Sequence, residues 1–361
     1  MKRVFLFCLA VISLFACSSP QKTAAPNEEN IFKYAQNLYS RQGSDTVVVY
    51  FPWTDGRDSM VYCLNEIRKN LPEQNTSIAA LSTTDIAMLS ELGLVDNISG
   101  VCDYFRISNE AVRKRYDDGH IQNVGTSMEV NIEALLALNP DITITSAFNR
   151  ADIQKYQHVQ CPVVFTTSWQ EVSPLARVEW IRFLGMILGV QDKADSVFFS
   201  IEKKYNAMKS LTDTIANKPV VLAGAASNDI WYMPGGASYI ATFIADAGGD
   251  FIGKNNTNTG SVVLNFEQVM QLSANADVWI GCDEKSYEDL DAINKNYKLL
   301  SVYQKRAIYN RSRRCNANGG NDYWEYGYVR PDIVLADYIK IIHPELLPDY
   351  ETFFLEKVKE E

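Results

Sequence analysis

A unit of one helix followed by one strand occurs twice in this 361-residue chain, with matching residues at its start. The first copy covers residues 131–144 and the second covers residues 265–280. Each copy has Asn at a helix N-cap position, Glu two residues later, and Asp before an apolar strand. Each helix must bury its apolar face against a sheet. The repeat therefore predicts two pseudo-equivalent lobes.

Short apolar runs alternate with helical patterns in both halves of the chain. The predicted strands are residues 46–50, 77–81, 142–145, 163–166, 220–224 and 277–281. The predicted helices between them are residues 60–70, 85–92, 239–247 and 266–272. Alternation of this kind is typical of parallel sheets that are covered on both faces. We therefore predict the α/β fold class, with one parallel sheet in each lobe.

A long amphipathic helix is predicted between the lobes. Apolar residues recur there at steps of three and four: Ala194, Val197, Phe198, Ile201, Tyr205, Met208 and Leu211. A helix resists the large backbone rotations that a hinge loop absorbs, so we expect little movement around a ligand cleft between the lobes. The predicted division is an N-terminal lobe (41–172), a helical segment that crosses between the lobes (173–212) and a C-terminal lobe (213–361).

The N-terminus has the features of an export signal. Lys2 and Arg3 precede an apolar stretch that is too short to span a membrane permanently. Cys17 follows the small residue Ala16, as in the bacterial lipobox, which predicts a signal peptide over residues 1–16 and a lipid on Cys17. The polar residues after it predict a flexible tether over residues 17–40. The alternative is an ordinary secretory signal followed by an unmodified cysteine.

The charge and the reactive residues argue against several functions. The formal net charge of −10 disfavours nucleic acid as a partner, because phosphates need a basic face. The five cysteines outside the signal are widely spaced and lack a C-x-x-C pair, so neither a disulfide framework nor a zinc site is expected. The three histidines are isolated, and no common catalytic motif occurs. We predict a monomeric binding protein that is not an enzyme; a pair of lobes of the metallo-cluster enzyme type is an alternative.

Several segments, taken in order and spacing, carry a resemblance to a known family: residues 82–101, 124–144, 174–181, 233–239, 247–250, 265–280 and 329–337. Together they resemble the helical-backbone class of substrate-binding proteins of metal-chelate ABC importers. The resemblance implies a lipid-anchored protein of the periplasm or cell envelope. It would capture a ferric siderophore or cobalamin, with haem as a third candidate, and deliver it to a permease and its ATPase. The iron or cobalt would arrive already chelated, without metal ligands from the protein; binding of another small molecule is an alternative.

The resemblance also implies that Glu133 and Glu267, one in each copy of the repeat, contact basic residues of the permease. The alternative is that each carboxylate only complements the dipole of its own helix. Because the two residues form a matched pair, one on each lobe, we favour docking.

Candidate ligand-binding residues lie at the carboxyl ends of the predicted strands, where open α/β sheets bind ligands. Aromatic side chains there suit a large, flat or partly apolar ligand, although each ring could instead belong to a core. Arg177 could contact an anionic ligand group, or form an ion pair with Glu179 or Glu171. The basic cluster Arg311, Arg313 and Arg314 could face the ligand, but we favour a solvated face. The predicted binding residues are Trp53, Thr83, Trp169, Arg177, Trp231, Tyr232, Tyr239 and Trp324.

Overall fold

The computed structural model describes residues 30–53, 56–227 and 230–361. The predicted signal peptide, the predicted lipidation site Cys17 and residues 18–29 of the predicted tether lie outside these described residues. Among the helices of the described ranges, none is both long enough and apolar enough to cross a bilayer.

Strands and helices alternate along most of the chain. The strands are β1 (Leu38–Tyr39), β2 (Thr46–Trp53), β3 (Gly56–Cys63), β4 (Ile78–Ala80), β5 (Ile98–Val101), β6 (Gln122–Asn123), β7 (Ile142–Ser146), β8 (Val163–Thr166), β9 (Val220–Ala223), β10 (Ala225–Ser227), β11 (Ile230–Pro234), β12 (Asp250–Phe251), β13 (Ser261–Leu264), β14 (Val278–Cys282), β15 (Ile308–Asn310) and β16 (Glu356–Lys357). The helices are α1 (Leu64–Lys69), α2 (Thr83–Glu91), α3 (Glu110–Asp117), α4 (Ile132–Leu138), α5 (Arg150–Lys155), α6 (Pro174–Ile187), α7 (Gln191–Ser210), α8 (Tyr239–Asp246), α9 (Phe266–Leu272), α10 (Tyr287–Ile293), α11 (Ser301–Gln304), α12 (Tyr326–Val329) and α13 (Pro331–Ile342).

Each lobe is built on a five-stranded sheet. The N-terminal sheet is entirely parallel, in the order β6-β5-β4-β7-β8. The C-terminal sheet has the order β12-β9-β14-β15-β16, and only its edge strand β16 is antiparallel to its neighbour. The central strands are buried on both faces, as in β7, where Ile142 and Ile144 on one face and Thr143 on the other have no exposed surface. The predicted α/β fold with two parallel sheets is confirmed.

Two helices join the lobes. The apolar stripe that predicted α7 faces inward, since Ala194, Phe198, Ile201 and Tyr205 are buried. Helix α6 packs against α7 so closely that a Cβ on Gly185 would lie 2.3 Å from the Cβ of Ala194. Close packing of two helices makes this connection stiffer than a loop of the same span.

Residues 46–63 differ from their predicted structure. The predicted strand 46–50 does not join the parallel sheet; it lies in an antiparallel sheet of order β1-β2-β3. The predicted helix 60–70 begins only at Leu64, because residues 57–63 pair with β2 along their whole length. Alternating polar and apolar residues favour such a hairpin strand over a helix.

Residues 30–40 pack against the folded body, so the predicted tether does not extend to residue 40. We call these residues the N-terminal strap. Phe32, Ala35 and Leu38 of the strap are buried. The backbone N–H groups of its residues 33, 34 and 35 donate to the carboxylate of Glu179 at 2.8, 2.7 and 2.8 Å. A buried carboxylate must accept hydrogen bonds to offset the loss of water. Because Glu179 belongs to α6, these hydrogen bonds hold the strap against that helix.

Candidate functional site

A cleft between the two lobes contains two adjoining cavities. The first, of about 730 Å³, is lined mainly by the C-terminal lobe, and we call it the C-lobe half. The second, of about 670 Å³, is lined mainly by the N-terminal lobe, and we call it the N-lobe half. Trp169 and Trp324 line both cavities and therefore mark their boundary.

Hydroxyl side chains dominate the N-lobe half. Ser82, Thr83 and Thr84 follow β4, and Ser146 ends β7, so they lie at the carboxyl edge of the parallel sheet as predicted. The Ser82 hydroxyl oxygen accepts the Asp85 N–H at 3.2 Å and caps α2. These groups present several donors and acceptors to a ligand, without a formal charge.

Asp85 lies directly beneath this hydroxyl edge and has no exposed surface. Burial raises the pKa of Asp85 to about 6, while hydrogen bonds from Ser82 and Thr166 oppose the shift. The Ser82 hydroxyl donates to one carboxylate oxygen at 2.6 Å and the Thr166 hydroxyl donates to the other at 3.2 Å. The N-lobe half therefore has a titratable group immediately behind its wall.

Several aromatic rings and two arginines line the C-lobe half. Tyr232 and Tyr239 line it, and the guanidinium of Arg177 lies 3.4 Å from the centre of the Tyr239 ring. Arg177 donates from Nε to the Glu171 carbonyl at 3.0 Å and from Nη2 to the Trp169 carbonyl at 2.6 Å. Backbone carbonyls thus hold Arg177 in place.

The carboxylates that were the alternative partners of Arg177 are bound elsewhere. Glu171 accepts the N–H groups of Gln36 and Asn37 in the strap, at 3.0 and 2.9 Å. Glu179 accepts strap N–H groups and contacts Arg182 at 3.2 Å. The charge of Arg177 is therefore not neutralised by either of these two carboxylates.

Arg311 also lines the C-lobe half, although a solvated face was favoured for the cluster that it forms with Arg313 and Arg314. Its Nη2 donates to Asp283 at 2.8 Å, and its guanidinium lies 4.8 Å from the Trp324 ring centre. Its Nε is buried and has no acceptor among the described residues. Arg313 and Arg314 are exposed, as expected. Arg311 follows β15 directly, so the strand-end rule could have identified it.

Two of the predicted binding residues do not line the cleft. Trp231 is 2% exposed, donates to the Ala223 carbonyl at 3.2 Å and packs 4.9 Å from the Trp279 ring. Neighbouring residues of a strand point to opposite faces, so Tyr232 faces the cleft and Trp231 faces the core. Trp53 stacks on Phe51. It lies outside the cleft because β2 belongs to the antiparallel sheet and does not end at the carboxyl edge of the parallel sheet.

The six other predicted residues line the two cavities: Thr83, Trp169, Arg177, Tyr232, Tyr239 and Trp324. Within the described ranges, no group of three or more His, Cys, Asp or Glu side chains could hold a metal ion. The five cysteines outside the signal are described, and all are free.

Both copies of the repeat fold in the same way. Asn131 caps α4 by accepting the Ala134 N–H at 3.0 Å, and Asn265 caps α9 by accepting the Gln268 N–H at 2.8 Å. Glu133 and Glu267 are the second residues of these helices, and both are exposed. The two lobes therefore present equivalent carboxylates on their outer surface.

The comparison with known families agrees with this architecture. Residues 78–303 match the family model described as "Periplasmic binding protein". The chain belongs to the periplasmic binding protein family. The match begins at β4 and ends in α11, so it covers the N-terminal sheet, the two joining helices, and strands β9, β12 and β14 of the C-terminal sheet. The family is one of binding proteins and not of enzymes.

Similar proteins include an uncharacterised lipoprotein of Methanocaldococcus jannaschii, 24% identical over 294 residues, which are 78% of this chain and 68% of the relative. An ABC transporter substrate-binding protein of Listeria monocytogenes shares the fold at 16% identity with a TM-score of 0.56, over 74% of this chain and 99% of that one. The periplasmic heme-binding protein RhuT of Roseiflexus shares it at 18% identity and a TM-score of 0.56, over 75% and 99%. The molybdate-binding protein MolA of Haemophilus influenzae shares it at 15% identity and a TM-score of 0.58, over 78% and 90%.

Membership of the family defines the general role. A periplasmic binding protein is an exported protein of the cell envelope that binds a ligand. The structural neighbours named here bind different cargoes, heme and molybdate, so they do not identify the ligand of this chain.

Proposed function

We propose that this periplasmic binding protein captures a metal chelate, either a ferric siderophore or cobalamin, and hands it to an ABC permease. Haem is the third candidate. A lipid on Cys17 would hold the protein at the membrane. The observation that carries the proposal is the cleft, whose halves of about 730 and 670 Å³ adjoin at Trp169 and Trp324. A drug-sized ligand fills a pocket of roughly 300–1,000 Å³, so the two halves together suit something larger.

The lining of the cleft supports this ligand class. Rings that project into the cleft provide stacking area for a flat or partly apolar ligand; Tyr232 is 43% exposed and Trp324 is 41% exposed. Arg177 and Arg311 line the C-lobe half together with Glu171 and Asp283, so the charges of this lining balance although the whole chain carries −10.

The metal would enter as part of the ligand. The polar side chains of the cleft include many hydroxyl groups and three arginines. Within the described residues, no group of three or more His, Cys, Asp or Glu side chains lies there that could hold a metal ion directly. We therefore expect the protein to recognise the organic chelator and its charge.

The proposal is tested by titrating the purified body, residues 30–361, with cyanocobalamin, ferric enterobactin and haemin, following tryptophan fluorescence and heat. We expect saturable binding of one chelate at or below micromolar concentration. Trp324→Ala should weaken it by about tenfold, because a central aromatic contact typically contributes more than 1 kcal/mol. The matched control is Trp53→Ala, which removes a ring outside the cleft and should leave the affinity unchanged.

Two outcomes would contradict the proposal. The first is the absence of binding to all three chelates. The second is an equal loss of affinity in the two tryptophan variants, because binding would then not involve this cleft.

A further inference from the structure

A loop of the C-terminal lobe crosses the cleft and contacts the N-terminal lobe. We call residues 312–325, between β15 and α12, the bridging loop. The Asn316 side-chain N–H donates to the Ile107 carbonyl at 3.0 Å. Gly320 lies so close to the N-terminal lobe that an added Cβ would be 2.6 Å from the Arg106 carbonyl oxygen. The loop therefore rests on residues 106 and 107 through two independent contacts.

Glu325, the last residue of the bridging loop, accepts two hydrogen bonds from the N-terminal lobe. One carboxylate oxygen accepts the Ser108 N–H at 2.6 Å, and the other accepts the Asn109 N–H at 2.9 Å. Asn109 is the N-cap of α3, so this carboxylate of the C-terminal lobe binds the start of a helix in the N-terminal lobe. Glu325 is only 2% exposed.

The residue before Glu325 is Trp324, which lines both halves of the cleft. The Trp324 ring packs edge-on against Tyr323 at 4.8 Å, and Arg311 lies over its face. Its backbone N–H donates to the Asn321 carbonyl at 3.0 Å. The position of this ring in the cleft therefore depends on where the bridging loop is held.

We propose that Glu325 is a positioning residue for the ligand site: its two hydrogen bonds to the opposite lobe hold the bridging loop across the cleft and keep Trp324 at the boundary of the two halves. The loop then forms a fixed wall of the cleft. The effect on ligand binding rests on the proposed function, whereas the hydrogen bonds of Glu325 do not depend on it.

The chemistry of the contact explains why a carboxylate is needed. Each oxygen faces one backbone N–H group, so both must act as acceptors. Glutamine has the same shape, but its NH₂ group would face an N–H group and leave one contact unmade. Burial raises the pKa of Glu325 to about 7, Asp322 adds to this shift, and the two backbone donors and Arg113 oppose it.

The first test needs no ligand. Hydrogen exchange followed by mass spectrometry would be measured for the body and for Glu325→Gln and Glu325→Ala. We expect the amides of residues 106–109 and 312–325 to exchange about tenfold faster in both variants, because local opening becomes easier. Acrylamide quenching of Trp324, taken as the difference from Trp324→Phe, should increase in parallel.

The matched control is Asp337→Asn, which changes another buried carboxylate. Asp337 accepts the N–H groups of Phe353, Phe354 and Leu355, so all these contacts lie within the C-terminal lobe. Its substitution should destabilise the protein without changing exchange at residues 106–109. Equal acceleration there in Asp337→Asn, or none in Glu325→Ala, would overturn the proposal.

The second test measures dissociation of cyanocobalamin and ferric enterobactin by stopped flow. Glu325→Gln should release the bound chelate several-fold faster with little change in the association rate, because loss of contacts acts mainly on dissociation. An unchanged dissociation rate together with faster exchange would refute the positioning role. If the unaltered body binds neither of these chelates nor haemin, the proposed function fails, while exchange and quenching still decide the role of Glu325.

Discussion

The two lobes are alike on their outer surfaces and different on the surfaces that face the cleft. Outside, α4 and α9 have the same Asn cap and the same exposed Glu at the second position. Inside, the N-lobe half has a row of hydroxyl groups beside Asp103 and Arg106. The C-lobe half instead has Tyr232, Tyr239, Arg177 and Arg311. A symmetric outer surface suits a partner that contacts both lobes in the same way. An asymmetric cleft suits one ligand in one orientation.

The largest effect is expected from the outer surface. Replacing both Glu133 and Glu267 with alanine should lower uptake of the bound chelate by at least about a hundredfold, because close interfacial charge pairs contribute several kcal/mol together. The affinity for the chelate should not change. Uptake by cells that carry the complete transporter, combined with a binding titration, measures both quantities.

The control for docking is Glu288, which is also exposed and also the second residue of a helix, α10, but lies outside the repeat. Glu288→Ala should leave uptake unchanged. If all three glutamates had the same effect, the matched pair would have no special role, and if the double variant lost ligand affinity, the assignment to docking would be wrong.

The next largest effect is expected inside the C-lobe half. Arg311→Ala should weaken chelate binding by roughly 10- to 100-fold, in line with about 1.5–3 kcal/mol for a hydrogen bond to a charged group. Arg313→Ala removes a neighbouring charge whose side chain is 40% exposed, and it should have no effect. Equal losses in the two variants would mean that only the net charge of the surface matters, and calorimetric titration would show this.

A pH effect is expected from Asp85, behind the wall of the N-lobe half. Asp85 follows the cap Ser82 by three residues, and the equivalent residue after the cap Ser238 in the C-terminal lobe is Ala241. Because the pKa of Asp85 rises from 3.8 to about 6 on folding, the folded state binds its proton more tightly than the unfolded state does. Its contribution to the free energy of unfolding is therefore complete below about pH 4 and is lost as the pH rises through 6.

Asp85→Asn should remove this dependence. The free energy of unfolding of the variant, minus that of the original protein, should be more positive at pH 7.5 than at pH 4 by about 1–3 kcal/mol. Urea denaturation at the two pH values measures it. A difference that does not change with pH would show that Asp85 is not held in its neutral form by burial.

The sequence predicted the features that depend on neighbouring residues, and it did not predict those that depend on contacts between distant segments. The caps, the α7 stripe and the buried runs of β7 and β14 depend on near neighbours, so their patterns were sufficient. The direction of the Trp231 side chain depends on which face of β11 packs against the core, and the composition of the strand does not specify that face. Arg311 points into the cleft because Asp283 and Trp324, from two other segments, hold it there. The contact between Glu325 and Ser108 joins residues that are 217 positions apart, and no local pattern predicts it.

The smallest effect tests how far the equivalence of the outer surfaces extends. Asn131→Ala and Asn265→Ala should each lower the free energy of unfolding by about 1 kcal/mol, because each removes one N-cap hydrogen bond. In α9, however, the Gln268 side chain also accepts the Asn265 N–H at 2.9 Å and completes a capping box, whereas α4 has Ala134 at that position. Gln268→Ala should therefore cost a further few tenths of a kcal/mol and make α9 resemble α4. Urea titrations that resolve such differences would show whether α4 and α9 contribute equally to stability, and a loss in Gln268→Ala as large as that in Asn265→Ala would contradict this order.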